Sequence, residues 1–431
     1  MLEIRTITVG DALDQAAERW GDAEGWTLER ERIGFAMLRT RADEAARALL
    51  AHGIERGDVV ATWMANRPEW LVLQMACAKI GVILTGLNTR FKTEEVRYVL
   101  EHSRAVALVF MPRLLNIDFE ALLDQAIPGL IGRVQAGAHP RVPRLRHLIA
   151  IDPSDTPGVQ SFAGFLSAAG RVGQSEVASR QRDCKPLDPV LMKFTSGTTS
   201  FPKGVLVQHL EALYWSGGIY DCMGVGEGDA VLSTQPFYHA GGSCGALTAP
   251  LSLGCRIVAP ELYEPEKVLQ LIERERCVAR SGSAAMYIME MEHPRFAQYD
   301  LSSLRAGWCV GPPAVFERIR SRMGIAEMVQ PFGATEAGGT CGRVGETWEA
   351  RINTCGKPLP GVEVRIVDPE THVPLPAGRP GEIGFRGWWT MLGYFDQPEA
   401  TSEQVRAYQI DEADTAFRCA VKAIRELGFD L

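Results

Sequence analysis

The sequence predicts an α/β fold: a mostly parallel sheet covered on both faces by helices, followed by a small β-rich subdomain. Three observations carry this. Short apolar, β-rich runs alternate with segments of helical periodicity from Phe35 to His102, and the alternation resumes between about residues 190 and 330. Strands separated by helices need crossover connections, and crossovers make parallel pairs. From Asn353 to Arg386 the texture changes to short alternating runs broken by Pro and Gly, the pattern of small antiparallel strands.

Along the chain, Phe35 to His52 places Leu38, Ala42, Ala45, Leu49 and Leu50 at helical spacing, and Gly53 suits the stop. Asp58 to Met64 reads as a buried strand, Pro68 to Lys79 as a helix, Gly81 to Leu87 as a strand and Thr93 to His102 as a helix. Arg133 to Lys185 is rich in Pro, Gly and Ser and reads as an irregular connection with one short helix. Val362 to Val367 alternates as a strand does. The expected units are 1–190, a first α/β subdomain with the irregular connection; 191–350, a second α/β subdomain; 351–401, the β-rich subdomain; and 402–431, a helical tail.

With 431 residues, 46% of them hydrophobic, the chain can bury two or three lobes at roughly 100–200 residues each. A net charge of −8 and a pI near 5.6 exclude a nucleic-acid partner that needs a basic footprint. They leave room for a phosphate ligand, which needs only local donors. The ten cysteines, at 77, 184, 222, 244, 255, 277, 309, 341, 355 and 419, show no CxxC or metal-finger spacing. They read as small buried apolar residues in a reducing compartment. Met1 to Gly10 has no secretory pattern, and the most apolar stretch, Trp70 to Leu87, is interrupted by Gln74, Lys79 and two glycines. The expectation is a cytoplasmic protein with no membrane span.

The most informative string is Phe194-Thr195-Ser196-Gly197-Thr198-Thr199-Ser200-Phe201-Pro202-Lys203-Gly204-Val205. Hydroxyls and free backbone N–H groups around glycine supply donors for a polyphosphate, and Lys203 adds a point charge. It differs from the common P-loop, since Pro202 stands for the second glycine and Gly204 for the magnesium-holding Ser/Thr. A flexible Gly/Ser/Thr turn is the plainer reading.

This string resembles the Thr-Ser-Gly-Thr-Thr-x-x-Pro-Lys-Gly signature of the AMP-forming adenylating superfamily: acyl-CoA synthetases, peptide-synthetase adenylation domains and firefly-type luciferases. Further matches follow in the family's order: Gly57 to Val60, Asn66 to Trp70, Leu87 to Arg90 with Glu94-Glu95, Pro236 to Gly242, Phe332-Gly333-Ala334-Thr335-Glu336, Gly356 to Pro358, Gly381 to Ile383, Arg386-Gly387, Met391 to Tyr394 and Pro398 to Thr401. The resemblance spans about residues 5–401. It implies a large N-terminal adenylating domain with two mostly parallel sheets flanked by helices.

The resemblance also implies roles. Thr195, Ser196, Gly197, Thr198, Thr199 and Lys203 would bind the ATP phosphates, with Gly311, Phe332, Gly333, Ala334 and Thr335 around the nucleotide. Glu336, with Thr198, would hold Mg²⁺ between phosphates. Lys203, Thr335, Glu336 and His239 would form the catalytic set, with His239 gating or lining the pocket for a fatty or aromatic acid. CoA would be the acceptor in the complete enzyme, or else a carrier-protein thiol. The residues alone leave other readings open. Thr335-Glu336 also suits a helix N-terminus, His239 also suits a packed histidine, and Gly241-Gly242 either leave room for an acyl chain or make a turn.

After Thr401 the family's Asp-Gly-Trp segment, its Thr-Gly-Asp motif and its C-terminal lid domain have no match. Asp411 and Asp414 read as solvated helix-start acids. Phe417, Ala420, Val421, Ile424 and Leu427 share one helical face, which would pack on this lobe, on a second copy in a homodimer, or on a following domain. A truncated frame, a fragment of a fusion and a half-enzyme borrowing its lid are equally compatible with the residues. Losing one preorganised lid donor would slow adenylation by about 10²–10³-fold. A nucleotide-binding protein without turnover is the rival reading.

Overall fold

The computed structural model describes residues 7–134, 139–195 and 202–405, and in it the predicted alternation becomes two large sheets. The first has eight strands in the spatial order Gly393–Tyr394, Lys203–Gln208, Pro189–Thr195, Ile83–Gly86, Val59–Trp63, Ala107–Phe110, His147–Ala150 and Gln160–Ser161. From Pro189–Thr195 outward every pair is parallel, while the first two strands add antiparallel. The second sheet has seven strands, in the order Glu327–Val329, Ala306–Trp308, Ala279–Ser281, Ala230–Ser233, Arg256–Ala259, Glu24–Leu28 and Glu31–Gly34. All its pairs but the last are parallel. Each sheet draws strands from both sides of residue 190.

Local chemistry explains the elements the sequence made legible. Pro68 opens the helix Pro68–Ile80 in its first turn, where a missing N–H costs nothing, and Gly81 ends it at φ +72°, in the left-handed region. Its residues from Trp70 to Ile80 are all buried, as suits a helix apolar on every side. The helices Phe35–Ala51 and Thr93–Ser103 and the strand Val59–Trp63 stand where periodicity puts them.

The stretch 133–185 corrects the expectation of an irregular connection. It holds the strand His147–Ala150, paired parallel with Ala107–Phe110, and the ten-residue helix Gln174–Asp183 besides the short Phe162–Leu166. That helix buries only Val177, so it has no apolar stripe for periodicity to detect. The β-rich expectation holds, since Val362–Val367 pairs antiparallel with Glu382–Gly387. The expected apolar helix through Phe417 to Leu427 lies outside the described residues.

Eight of the nine described cysteines are buried and all nine are free, in line with their reading as small apolar residues. Among the described residues no helix is long and apolar enough to cross a membrane. The two sheets are tied together by Asn66, just after the strand Val59–Trp63. Its Nδ2 donates to the carbonyls of Gln235 and Pro260, each at 3.2 Å, beyond the ends of two strands of the second sheet. Its Oδ1 accepts from the Phe237 N–H at 2.9 Å.

Candidate active site

Pro189–Thr195 (β1) and Lys203–Gln208 (β2) form an antiparallel hairpin in which Thr195 faces Lys203. The hydroxyl-rich string is therefore the connection between two sheet strands, and Lys203 stands at its exit. Ser196, Gly197, Thr198 and Thr199 lie outside the described residues. Gly204 is closely packed: a Cβ there would come 2.9 Å from Met192 Sδ, and that side chain would have to shift to admit it.

Thr335 and Glu336 sit on the tip of a second hairpin, between Pro331–Gly333 (β3) and Gly338–Cys341 (β4). The Ala334 N–H donates to the Ala337 carbonyl at 2.7 Å and closes the turn. The helix-N-terminus alternative is thus incorrect. Short oxygen-bearing side chains suit a tight turn for the same reason they suit a helix cap, by sitting near free backbone groups.

One segment joins the two hairpins. The N–H of Met391 donates to the Glu336 carbonyl at 2.8 Å, and that of Gly338 to the Trp389 carbonyl at 3.2 Å. Farther along, the N–H groups of Leu392 and Phe395 donate to the carbonyls of Leu206 and Gly204, at 3.0 and 2.7 Å. The short strand Gly393–Tyr394 (β5) thereby pairs with β2, Tyr394 opposite Val205. Its ring lies beneath Lys203, with Nζ 4.8 Å from the ring centroid, and its hydroxyl donates to Glu336 Oε1 at 3.3 Å. Burial and the Glu336 carboxylate push the phenol up to about 12, so it remains a donor at neutral pH. Tyr394 thus brings together a cation and an anion that the chain keeps far apart in sequence.

The remaining predicted residues line the carboxyl ends of the second sheet's parallel strands, where open α/β sheets bind ligands. His239 caps the short helix Ala240–Ser243, its Nδ1 accepting from the Gly241 N–H at 3.0 Å. With Nδ1 accepting, the neutral ring carries its proton on Nε2. The ring touches solvent, yet the surrounding protein desolvates it and the Lys193 ammonium repels a second proton, so its pKa is lowered. At Gly242 a Cβ would stand 2.2 Å from the Pro236 carbonyl oxygen, so the close backbone approach in this turn itself requires glycine. Gly311 follows the strand Ala306–Trp308, and its N–H donates to Gln330 Oε1 at 3.0 Å. Phe332 is exposed and stacks on Phe385 at 5.9 Å, and Gly333 makes room for the Trp389 indole.

The structure therefore brings Lys203 and Glu336 together on Tyr394, with Thr195 opposite Lys203 in one hairpin and Thr335 beside Glu336 on the tip of the other. Among the described residues no hydrogen bond or ion pair joins His239 or Gly311 to that group. Sequence reasoning passed over Tyr394, Asn66 and Gln330 as site residues. Tyr394 and Asn66 belong to matched strings, but only nonlocal pairing reveals what they touch. As to a metal, the described residues contain no group of three His, Cys, Asp or Glu able to hold one. Glu336, half-buried and paired with no cation among the described residues, is a hard oxygen donor of the kind Mg²⁺ takes when phosphates supply the other ligands.

Residues 13–395 match the AMP-binding enzyme family. YngI of Bacillus subtilis is 32% identical over 416 residues, covering 94% of this chain and 75% of its own. The mitochondrial medium-chain acyl-CoA ligase ACSF2 of Bos taurus is 30% identical over 422 residues, covering 94% of this chain and 68% of its own. Among solved structures, the inhibitor-bound N-terminal domain of FACL13 from Mycobacterium tuberculosis superposes with a TM-score of 0.74 at 23% identity, covering 93% of this chain and 94% of that one.

Proposed function

The chain belongs to the AMP-binding enzyme family, and from that premise we propose that it activates a carboxylic acid with ATP, forming an acyl adenylate and releasing pyrophosphate. CoA is the proposed acceptor of the acyl group in a following step, as the name of the ACSF2 relative suggests. The observation that carries the reading is the placement of Lys203 and Glu336 on either side of Tyr394, at the exit of the hydroxyl-rich loop.

The chemistry asks little of the protein in covalent terms. One carboxylate oxygen attacks the α-phosphorus, the bond from that phosphorus to the bridging oxygen of pyrophosphate breaks, and no proton is transferred. Catalysis is then positioning and charge neutralisation. Lys203 would hold the negative charge on the phosphates, and Thr335 would donate to the α-phosphate. Glu336 would hold Mg²⁺, which neutralises phosphate charge when bound. His239, neutral and with Nε2–H as its free donor, suits holding the acid at the mouth of the pocket rather than moving protons, which the step does not need. A fatty or aromatic acid is the proposed substrate range.

The test is carboxylate-dependent exchange of labelled pyrophosphate into ATP across short, medium, long and aromatic acids. Exchange with any acid is the expected result. ATP binding without exchange would leave a nucleotide-binding protein and overturn the enzymatic reading.

A further inference from the structure

Two lysines are buried among the described residues, and the fold treats them differently. Lys79 points its Nζ at Asp14 and Asp43, each oxygen at 2.6 Å. The buried Arg280 likewise has a carboxylate, Glu290, at 2.7 Å. Lys193, on β1, is only 3% exposed, yet among the described residues no carboxylate lies within ion-pair distance of it. Its Nζ makes one long hydrogen bond, 3.4 Å to the Phe237 carbonyl, and lies 5.2 Å from the centroid of the Trp70 ring. A single long acceptor and an aromatic face serve three ammonium protons. Burying a charge on those terms is costly, and the same fold neutralises its other buried cations.

The location gives that charge a use. Alternation along β1 puts Lys193 on the same face as Thr195, at the start of the phosphate loop. The Phe237 carbonyl it touches belongs to the His239 loop, which Asn66 holds in place. Lys193 also lowers the His239 pKa, so its field reaches the loop where the acid is proposed to dock. A fixed cation there suits a group whose charge persists through the reaction. The reacting carboxylate loses its charge as it attacks phosphorus, so a cation holding it would stabilise the bound acid more than the transition state.

We propose that Lys193 anchors a second carboxylate on the acid, so that the preferred substrates are dicarboxylic acids of which one end is adenylated. This rests on the adenylation reading above and narrows its fatty or aromatic range to acids that carry a second carboxylate. Glu211 is the rival counter-ion. It is fully buried, with no cation within ion-pair distance among the described residues, and burial raises its pKa well above the usual carboxylate range, which disfavours the charged form.

The test pairs malonate, succinate, glutarate and adipate, each with the monocarboxylate in which a methyl replaces the far carboxylate. In pyrophosphate exchange the best dicarboxylate should exceed its partner in kcat/KM by about 100-fold, and Lys193→Met should cut that ratio by at least about tenfold. A ratio near or below one in the wild type, or one that Lys193→Met leaves intact, overturns the proposal. Thermal unfolding with the same acids is the second readout and needs no turnover. The dicarboxylate should raise the wild-type midpoint more than its partner does, and the difference should vanish in Lys193→Met. Without exchange by any acid, the adenylation reading fails and the thermal difference still decides the role of Lys193. If Glu211 neutralised Lys193 internally, Glu211→Gln would create a dicarboxylate response absent from the wild type, which also overturns the proposal.

Discussion

Replacing Tyr394 by Phe separates the two contacts that this residue makes. The ring stays beneath Lys203, and only the hydroxyl that donates to Glu336 at 3.3 Å is lost. A hydrogen bond to a charged acceptor contributes about 1.5–3 kcal/mol. This one is long and half-buried, so the lower end applies, and about 1.5 kcal/mol corresponds to roughly a tenfold loss in rate. Tyr394→Leu removes the ring as well, and the cation–π contact adds about 0.5–1 kcal/mol, a further two- to fivefold. The assay is steady-state pyrophosphate exchange at saturating acid, with circular dichroism to establish that both variants fold. Because the lost bond orients Glu336, Tyr394→Phe should also need more Mg²⁺ for half-maximal exchange. A Phe variant within about twofold of wild type at every Mg²⁺ concentration, together with a Leu variant no worse, would refute the role given to Tyr394.

Three other outcomes follow from the geometry. Lys203→Ala and Glu336→Ala should each lower exchange by about 10²–10³-fold while far-ultraviolet dichroism stays unchanged; normal exchange by both would remove the site assignment. Gly242→Ala would place a Cβ 2.2 Å from the Pro236 carbonyl oxygen, and overpacking of this kind costs about 1–3 kcal/mol or more. Urea unfolding should show that loss, and an unshifted midpoint would mean the loop gives way freely. Burial lowers the Lys193 pKa from 10.5 to about 8. Between those values the unfolded chain holds a proton that the native chain has lost, so native stability rises with pH across that window. Lys193→Met should accordingly be more stable than wild type at neutral pH, by up to about 3 kcal/mol, and the gap should close as pH climbs from 8 toward 10.5. A gap that does not change with pH would mean that Lys193 is not a desolvated ammonium.

What was legible in the sequence is what ligand chemistry or local periodicity dictates over a few residues. Pro68, Gly81 and the apolar run between them specify a buried helix without reference to the rest of the chain, and the helix stands there. The hydroxyl-rich string before Lys203 reads as phosphate chemistry for the same reason, since its donors are neighbours in sequence. The parts that resisted reading depend on pairing. Thr335-Glu336 suits a helix cap and a hairpin tip equally, and only the Phe332–Thr340 register decides for the hairpin. Tyr394 becomes a site residue because β5 lands beside β2, with Val205 and not some other residue opposite it. Lys193 is the sharper case. Within Val190-Leu191-Met192-Lys193-Phe194 the apolar neighbours announce a buried strand, so the sequence already implies that the ammonium is desolvated. What it cannot say is whether the fold brings a carboxylate to it, as it does for Lys79 through two acids from separate helices. A buried cation with no acid within ion-pair distance among the described residues, beside the loop where substrate would dock, shifts the question from stability to binding. The ligand is then the natural source of the missing charge, which makes acid preference a more direct probe of this pocket than the motif strings that first drew attention to it.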